Sequence, residues 1–262
     1  MVIGLDKFRD AFADFSDNYV VIGGTACDIV LRDSIMKPRA TDDIDMILII
    51  EKMTPEFGKK FWAFIREGEY IINQRRGEKI NNPVYELFRF KGSKEGYPIQ
   101  IELLSRYPDI LGAPTGFHLA PIPIGEDLSS LSAIMLDDDL YDYVISGSEI
   151  VDGIRIATSF SLICLKAKAY NNLYDDRHTG KHVNEKDLKK HRVDVLKLIA
   201  TSLVEEPNIV SKGIFDNMTQ FCDRITEILV DHPQSLTDAL QRNVKEIEIF
   251  INTLRGSFVT EK

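Results

Sequence analysis

The sequence predicts an α+β protein in which a mixed β-sheet with flanking helices is followed by a C-terminal helical bundle. Up to about residue 156, short β-branched apolar runs alternate with amphipathic segments and glycine-containing turns. From residue 158 onward the apolar residues recur at helical spacing, with few strand patterns. The 44% hydrophobic and 28% charged content is that of an ordinary folded protein. We therefore expect two domains, residues 1–156 and residues 157–262.

The chain opens with apolar residues at helical spacing, which predict an amphipathic helix over residues 5–15. A short buried strand is expected over residues 19–22, ended by Gly23-Gly24, and Thr25 is the expected N-cap of the next helix. A strand, a glycine turn and a helix N-terminus form a favourable place for phosphate, because backbone N–H groups and the helix dipole converge there. Taken alone, Gly-Gly-Thr is more typical of a plain tight turn.

The most informative stretch is residues 41–50, where three acids precede a strongly apolar run that predicts a buried strand. Strand side chains alternate, so Asp43 and Asp45 point to one face while Ile44 and Met46 point to the other. Two carboxylates about 6–7 Å apart along a strand repel each other. A hard divalent cation with oxygen ligands is the commonest way to relieve that repulsion.

A third acid lies in the next predicted hairpin. Residues 84–90 and 99–104 alternate apolar and polar around a glycine-containing turn, and Glu102 interrupts the apolar second strand. If this strand lies beside the strand of Asp43 and Asp45, three carboxylates converge on one face. Two Mg²⁺ ions could then be held there. A helix is expected over residues 55–66, a strand over residues 70–73, and further short strands over residues 133–156.

The C-terminal half predicts four helices, over residues 159–173, 185–202, 209–230 and 236–254. On the first of them Lys166 falls on an apolar stripe, which is unusual unless the ammonium group reaches solvent or meets an anion. Lys168 lies on the more polar side of the same helix. A basic cluster that includes Lys190, His191 and Arg192 fits an exposed helix face and an anion-binding surface about equally well.

Bulk properties exclude several classes of protein. A net charge of −9 argues against non-specific coating of nucleic acid, although it allows local basic patches such as Arg75, Arg76 and Lys79. No stretch approaches the length of a membrane span, and the N-terminus lacks the pattern of a signal peptide. The three cysteines are far apart and fit buried free thiols in a reducing environment. We therefore expect a cytoplasmic protein without a membrane partner.

Together these motifs resemble a known superfamily. Gly23-Gly24-Thr25, then Asp43-Ile44-Asp45, then Glu102, is similar to the nucleotidyltransferase superfamily with the DNA polymerase β-type fold. The form Gly-Gly-Thr-Ala with a later Asp-Asp-Ile-Asp most resembles the AbiEii group of nucleotidyltransferase-like toxins. The resemblance covers about residues 17–200. It implies a nucleotidyltransferase catalytic domain that transfers NMP from an NTP such as ATP to a hydroxyl acceptor.

The resemblance also implies roles for the residues of the N-terminal half. Asp43 and Asp45 would hold two Mg²⁺ ions, with Glu102 completing the second metal site and serving the proton transfer. The backbone of Gly23 and Gly24 and the hydroxyl of Thr25 would receive the nucleotide phosphates. These are the expected metal-binding and nucleotide-binding groups.

In the C-terminal half, Lys166 matches a lysine of the AbiEii group that is expected to contact the nucleotide phosphates. Lys168 is the second choice for this role. A second motif of the AbiEii group, which contains a basic residue followed by an aspartate, is similar to residues 190–198. Asp194 matches its aspartate and is expected to be catalytic, and Lys190 matches its basic residue and is expected to bind the nucleotide.

The acceptor and partners follow only from the resemblance. An RNA such as a tRNA 3′ end, and a cognate antitoxin as protein partner, are expected for toxin-like members. Alternatives are nucleotidylation of a small molecule such as an aminoglycoside, and a catalytically silent module that binds a nucleotide or an antitoxin. A metal-dependent phosphohydrolase is a further alternative, but histidines are absent from residues 41–50, where that class would place them.

Overall fold

The computed structural model describes residues 2–72, 86–105 and 138–260. These residues group into two compact units. The first contains residues 2–29, 39–72, 86–105 and 148–157, and the second contains residues 30–38, 138–147 and 158–260. The sequence prediction of two domains divided after residue 156 stays a prediction. The basic cluster at Arg75, Arg76 and Lys79 lies outside the described residues.

The first unit is built on a mixed sheet, as the sequence predicts. Its described strands are β1 Tyr19–Ile22, β2 Asp43–Leu48, β3 Ile71–Ile72, β4 Glu86–Lys91, β5 Gln100–Ser105, β6 Ser148–Val151 and β7 Ile154–Ala157. Their order across the sheet is β3-β4-β5-β2-β1-β7-β6. The β2–β5 and β1–β7 pairs are parallel, and the other neighbouring strands are antiparallel. The strand of Glu102 is therefore the direct neighbour of the strand of Asp43 and Asp45, as expected.

Helices α1 Leu5–Phe12, α2 Gly23–Leu31 and α3 Pro55–Glu67 accompany this sheet. A short 3-10 turn, Ala13–Phe15, continues α1. Thr54 caps α3 by accepting a hydrogen bond from the Phe57 amide, and proline occupies the first turn, where its missing N–H costs nothing. These helices agree with the predicted helices over residues 5–15 and 55–66.

An aromatic core attaches α1 and α3 to one face of the sheet. The ring of Phe8 meets Tyr19 of β1 edge-on at 5.4 Å, and the ring of Phe61 meets Phe90 of β4 edge-on at 5.4 Å. Such edge-to-face pairs add to the stabilisation from apolar burial. The buried rings of this core are Phe8, Phe12, Tyr19, Phe57, Phe61, Trp62, Phe64 and Phe90.

The second unit is mainly helical. Its described helices are α4 Asp138–Ser146, α5 Ser159–His178, α6 Glu185–Thr201, α7 Lys212–Asp231, α8 Gln234–Leu240 and α9 Val244–Gly256. The unit also contains a parallel pair of short strands, β8 Asn208–Val210 and β9 Phe258–Thr260. Helix α5 packs against α6 and α7, and α7 packs against α9. No helix among the described residues has the length and apolar character needed to cross a membrane.

Three secondary-structure predictions are wrong in the second unit. Part of the stretch predicted as short strands, 133–156, is helix α4, whose first turn has two acids that complement the helix dipole. The helix predicted from residue 209 begins only at Lys212, after strand β8 and a serine N-cap. The single helix predicted over residues 236–254 is two helices, separated at Gln241, which has φ +53°, and restarted by a capping box at Asn243.

Candidate functional site

Four strands bring polar residues to one end of the sheet. Because β1 and β4 run antiparallel to their neighbours β2 and β5, the last residues of β1 and β4 lie beside the first residues of β2 and β5. The register aligns Ile22, Asp45, Glu102 and Arg89 in one row across the four strands. We refer to the end of the sheet formed by Asp43, Asp45, Gln100 and Glu102 as the carboxylate end.

The alternation predicted for β2 is confirmed. Asp43 and Asp45 are partly exposed, whereas Ile44 and Met46 between and after them are fully buried. The apolar side of β2 faces the same way as Tyr19 and Phe90 in the register, which is the face covered by the aromatic core. The two carboxylates therefore share the opposite face.

The glycine turn lies directly against these carboxylates. Gly23 has φ +69°, and a Cβ atom added to it would lie 2.0 Å from Oδ2 of Asp45. A Cβ atom on Gly24 would lie 2.6 Å from Oγ1 of Thr41 and 2.9 Å from Nη2 of Arg39. Any side chain at Gly23 would collide with the Asp45 carboxylate. Helix α2 therefore begins in close contact with the Asp45 carboxylate.

Thr25 has a different place from the one expected. Helix α2 already begins at Gly23, so Thr25 lies inside the first turn and is not the N-cap. Its side chain is fully buried, and its hydroxyl donates a hydrogen bond to the carbonyl oxygen of Asp43. The hydroxyl thus holds α2 to the start of β2, and its predicted contact with a phosphate stays a prediction.

Glu102 lies beside Asp45 as expected, but its carboxylate has other partners. Nε of Arg89 donates to Oε1 of Glu102 at 2.6 Å, and Nε2 of Gln100 donates to the same oxygen at 2.7 Å. Gln100 also reaches Oδ2 of Asp43 at 3.4 Å. Within the described ranges, no group of three or more His, Cys, Asp or Glu has the arrangement of metal ligands. Glu102 thus shares the strand face of Asp45, as expected, but it is ion-paired with Arg89, and its expected role as a metal ligand stays a prediction.

Asp43 has a raised pKa at the carboxylate end. Burial raises its pKa above the usual 3.8, and the negative charge of Asp42 raises it further. The positive charges of Lys91, Arg39 and Arg89 act in the opposite direction and offset only part of the effect. A carboxylate in such a place gains from a bound cation, because a cation stabilises its ionised form.

In the second unit, the anion that Lys166 meets is Asp194. Nζ of Lys166 lies 2.7 Å from Oδ2 of Asp194, and the two side chains are only 5% and 4% exposed. The pair joins α5 to α6, which pack closely together. Of the two alternatives expected for a lysine on this stripe, reaching solvent or meeting an anion, the structure shows the second. Contact of Lys166 or Asp194 with a nucleotide stays a prediction.

The neighbouring basic residues divide into exposed and buried groups. Lys168 is half-buried, and Lys190 forms a partly exposed ion pair with Asp187 at 3.1 Å. His191, however, is 4% exposed, so the reading of Lys190, His191 and Arg192 as one exposed helix face is wrong. A nucleotide-binding role for Lys168 and Lys190 stays a prediction.

The sequence reasoning missed Arg89, Gln100 and Arg39 as site residues. Symmetric pairing about the predicted turn would place Arg89 opposite Gln100, whereas the observed register places Arg89 opposite Glu102. Arg39 lies between two predicted elements, where spacing gives no indication of what a side chain contacts.

We expect Asp43→Asn to stabilise the ligand-free protein at neutral pH. Since burial raises the folded-state pKa of Asp43 above its unfolded value, ionisation of Asp43 costs folding free energy above the folded pKa. Below the unfolded pKa the group is protonated in both states and the cost disappears. Thermal unfolding should therefore show a higher Tm for the variant at pH 7, with the difference narrowing as the pH falls toward 3.8.

Asp14→Asn, at an exposed position on the 3-10 turn after α1, is the matched control and should change Tm little at either pH. A lower Tm for Asp43→Asn than for the unaltered protein at pH 7 would contradict this account of Asp43.

We expect Lys166→Met to lower the free energy of unfolding by about 3–5 kcal/mol, because it leaves the Asp194 carboxylate buried without its cation. The double variant Lys166→Met/Asp194→Leu should recover most of the loss, since it removes both charges. Urea unfolding of the single and double variants measures the difference.

Lys168→Met, on the same helix but half-buried, should cost about 1 kcal/mol or less. If the losses of the two single variants simply add in the double variant, the two side chains are not energetically coupled and the ion pair is not the source of the cost.

No protein-family model matches the chain, and no curated protein sequence matches it.

Proposed function

We propose that this protein is a Mg²⁺-dependent nucleotidyltransferase that moves a nucleoside monophosphate from an NTP to a hydroxyl acceptor. The observation that carries the proposal is the contact between the Gly23-Gly24 turn and the Asp45 carboxylate at the carboxylate end. It puts a helix N-terminus, which favours phosphate, next to a pair of carboxylates, which favours a divalent cation.

The donor set of Asp43 and Asp45 fits magnesium. Mg²⁺ prefers oxygen ligands and is usually bound through one or two carboxylates together with substrate phosphates and water. Asp43 and Asp45 supply two carboxylates on one partly exposed strand face. When bound, Mg²⁺ would neutralise phosphate charge and promote ionisation of the attacking hydroxyl. That a second ion is held with Glu102 stays a prediction.

The phosphates of the nucleotide would be bound where α2 begins. Only glycine lets a ligand come close to the backbone here, and the unsatisfied amides of a helix N-terminus are donors for phosphate oxygens. The charge of Arg39 lies beside Gly24. Thr25 supports this arrangement indirectly, by holding α2 against the carbonyl of Asp43.

In the proposed reaction, the acceptor oxygen forms a bond to the α-phosphorus of the NTP. The bond from that phosphorus to the oxygen that bridges to the β-phosphorus breaks, and pyrophosphate leaves. The hydroxyl proton passes to a carboxylate of the carboxylate end. Position and electrostatic stabilisation supply most of the catalysis in such transfers, so fixed carboxylates and amides are sufficient protein machinery.

The acceptor and the remaining residues complete the proposal. An RNA end is the acceptor expected from the resemblance to AbiEii-type toxins, with an aminoglycoside-type small molecule as the alternative. The roles expected of Lys166, Lys168, Lys190 and Asp194 of the second unit toward a nucleotide stay predictions from the resemblance. A cognate antitoxin remains the expected protein partner.

The proposal is tested by incubating the full chain with Mg²⁺ and each of the four α-³²P-labelled NTPs, in the presence of total RNA or of an aminoglycoside. We expect label to appear in an acceptor only when Mg²⁺ is present. Asp43→Asn should reduce the rate by at least about 100-fold, as expected when a group that stabilises the transition state is lost.

Asp14→Asn is the control that carries the same chemical change outside the carboxylate end, and it should keep the activity. Labelled RNA identifies RNA as the acceptor, and a labelled aminoglycoside identifies the alternative. If no acceptor is labelled with any NTP, or if Asp43→Asn keeps full activity, the proposed reaction is wrong.

A further inference from the structure

The Arg89–Glu102 ion pair has a consequence for the number of cations at the carboxylate end. Nε of Arg89 and Nε2 of Gln100 both donate to Oε1 of Glu102, at 2.6 and 2.7 Å. The Glu102 side chain is 5% exposed and that of Arg89 is 20% exposed. The third carboxylate of the site is thus already supplied with a cation and a second donor, both from the chain itself.

We propose that Arg89 takes the place of a second divalent cation beside Glu102, so that the carboxylate end binds one divalent ion per nucleotide. This inference rests on the proposed function, because it concerns the metal requirement of the same site. It assigns Arg89 as a positioning residue, which acts through Glu102.

The position of Arg89 in the row supports this assignment. Arg89, Glu102 and Asp45 lie on three successive strands, with Glu102 between the other two. Arg89 therefore meets the row at Glu102, which is the carboxylate that a second ion would need.

Charge supports it as well. Arg89 carries a positive charge that no ordinary pH removes, and it is bonded directly to the Glu102 carboxylate. The negative charge of Glu102 is thus balanced within the chain, and a second divalent ion beside it would add positive charge where a cation already lies. The guanidinium group binds carboxylates in a fixed geometry. A second ion would have to displace this charge-assisted hydrogen bond in a largely buried place.

The test counts metal and nucleotide together. The full chain is dialysed to equilibrium against Mn²⁺ and a non-hydrolysable NTP analogue, and the retained Mn²⁺ and nucleotide are measured per chain. We expect one Mn²⁺ and one nucleotide for the unaltered protein. Arg89→Met frees Glu102 and should raise the ratio to two Mn²⁺ per nucleotide, whereas Arg89→Lys keeps the charge and should leave it at one.

Arg155→Met is a matched control. Arg155 pairs with Asp17 at 2.6 Å, and its side chain is also 20% exposed, but it lies on β7, outside the row of the carboxylate end. The Arg155→Met variant should keep a ratio of one Mn²⁺ per nucleotide. Circular dichroism establishes that each variant is folded before its metal is counted.

A ratio of two in the unaltered protein would overturn the inference, as would a folded Arg89→Met variant that keeps a ratio of one. If Arg89→Met does not fold, Glu102→Gln decides: a ratio of one supports the inference, and loss of Mn²⁺ overturns it by making Glu102 a ligand. If the unaltered protein retains no nucleotide, the proposed function itself is overturned. This outcome differs from a wrong metal count, in which nucleotide is retained with a different number of Mn²⁺ ions.

Discussion

Repulsion between two carboxylates on one strand is the constraint around which the first unit is arranged. Asp43 and Asp45 share a face because the alternate residues Ile44 and Met46 are fully buried on the other. Neither acid can turn away without exposing that apolar face, since a strand can only exchange its faces by a shift in register. The negative charge is therefore fixed in place by the packing of the core, and the pKa of Asp43 is raised by burial as a result.

The surrounding residues answer this constraint in two different ways. On one side, Arg89 and Gln100 hold Glu102, so that one of the three negative charges is balanced within the protein. On the other side, the turn at Gly23 approaches Asp45 so closely that no side chain fits between them. The first arrangement supplies positive charge, and the second opens backbone amides to an incoming anion. In the proposed function, a metal ion that arrives with a triphosphate would satisfy both sides together.

The aromatic core explains why this arrangement can be kept. The rings of Phe8 and Phe12 of α1 and of Phe61 of α3 pack on the apolar face of the sheet, opposite the face of Asp43 and Asp45. In the proposed function Asp43 reduces the stability of the ligand-free protein, as residues at binding sites commonly do, and the rest of the domain compensates.

Local pattern was sufficient to predict the central elements of the fold and of the site. Alternation predicted that Asp43 and Asp45 share one face, because side-chain alternation follows directly from strand geometry. That Glu102 would join them was conditional on the pairing of β2 with β5, which the structure shows. The partners of Glu102 could not be derived in the same way, since they depend on the register of the hairpin. Thr25 fitted an N-cap by residue type, but the helix begins two residues earlier at a glycine with positive φ. Likewise, helix α4 was predicted as part of a run of short strands, because apolar residues in so short a stretch do not distinguish a strand from a helix.

Locating the metal in a crystal soaked with Mn²⁺ and a non-hydrolysable NTP analogue tests the central claim most directly. The account predicts an anomalous-scattering peak bound by carboxylate oxygens of both Asp43 and Asp45, with the phosphates of the nucleotide at the Gly23-Gly24 turn. A peak elsewhere in the molecule, or a nucleotide bound away from this turn, would contradict it.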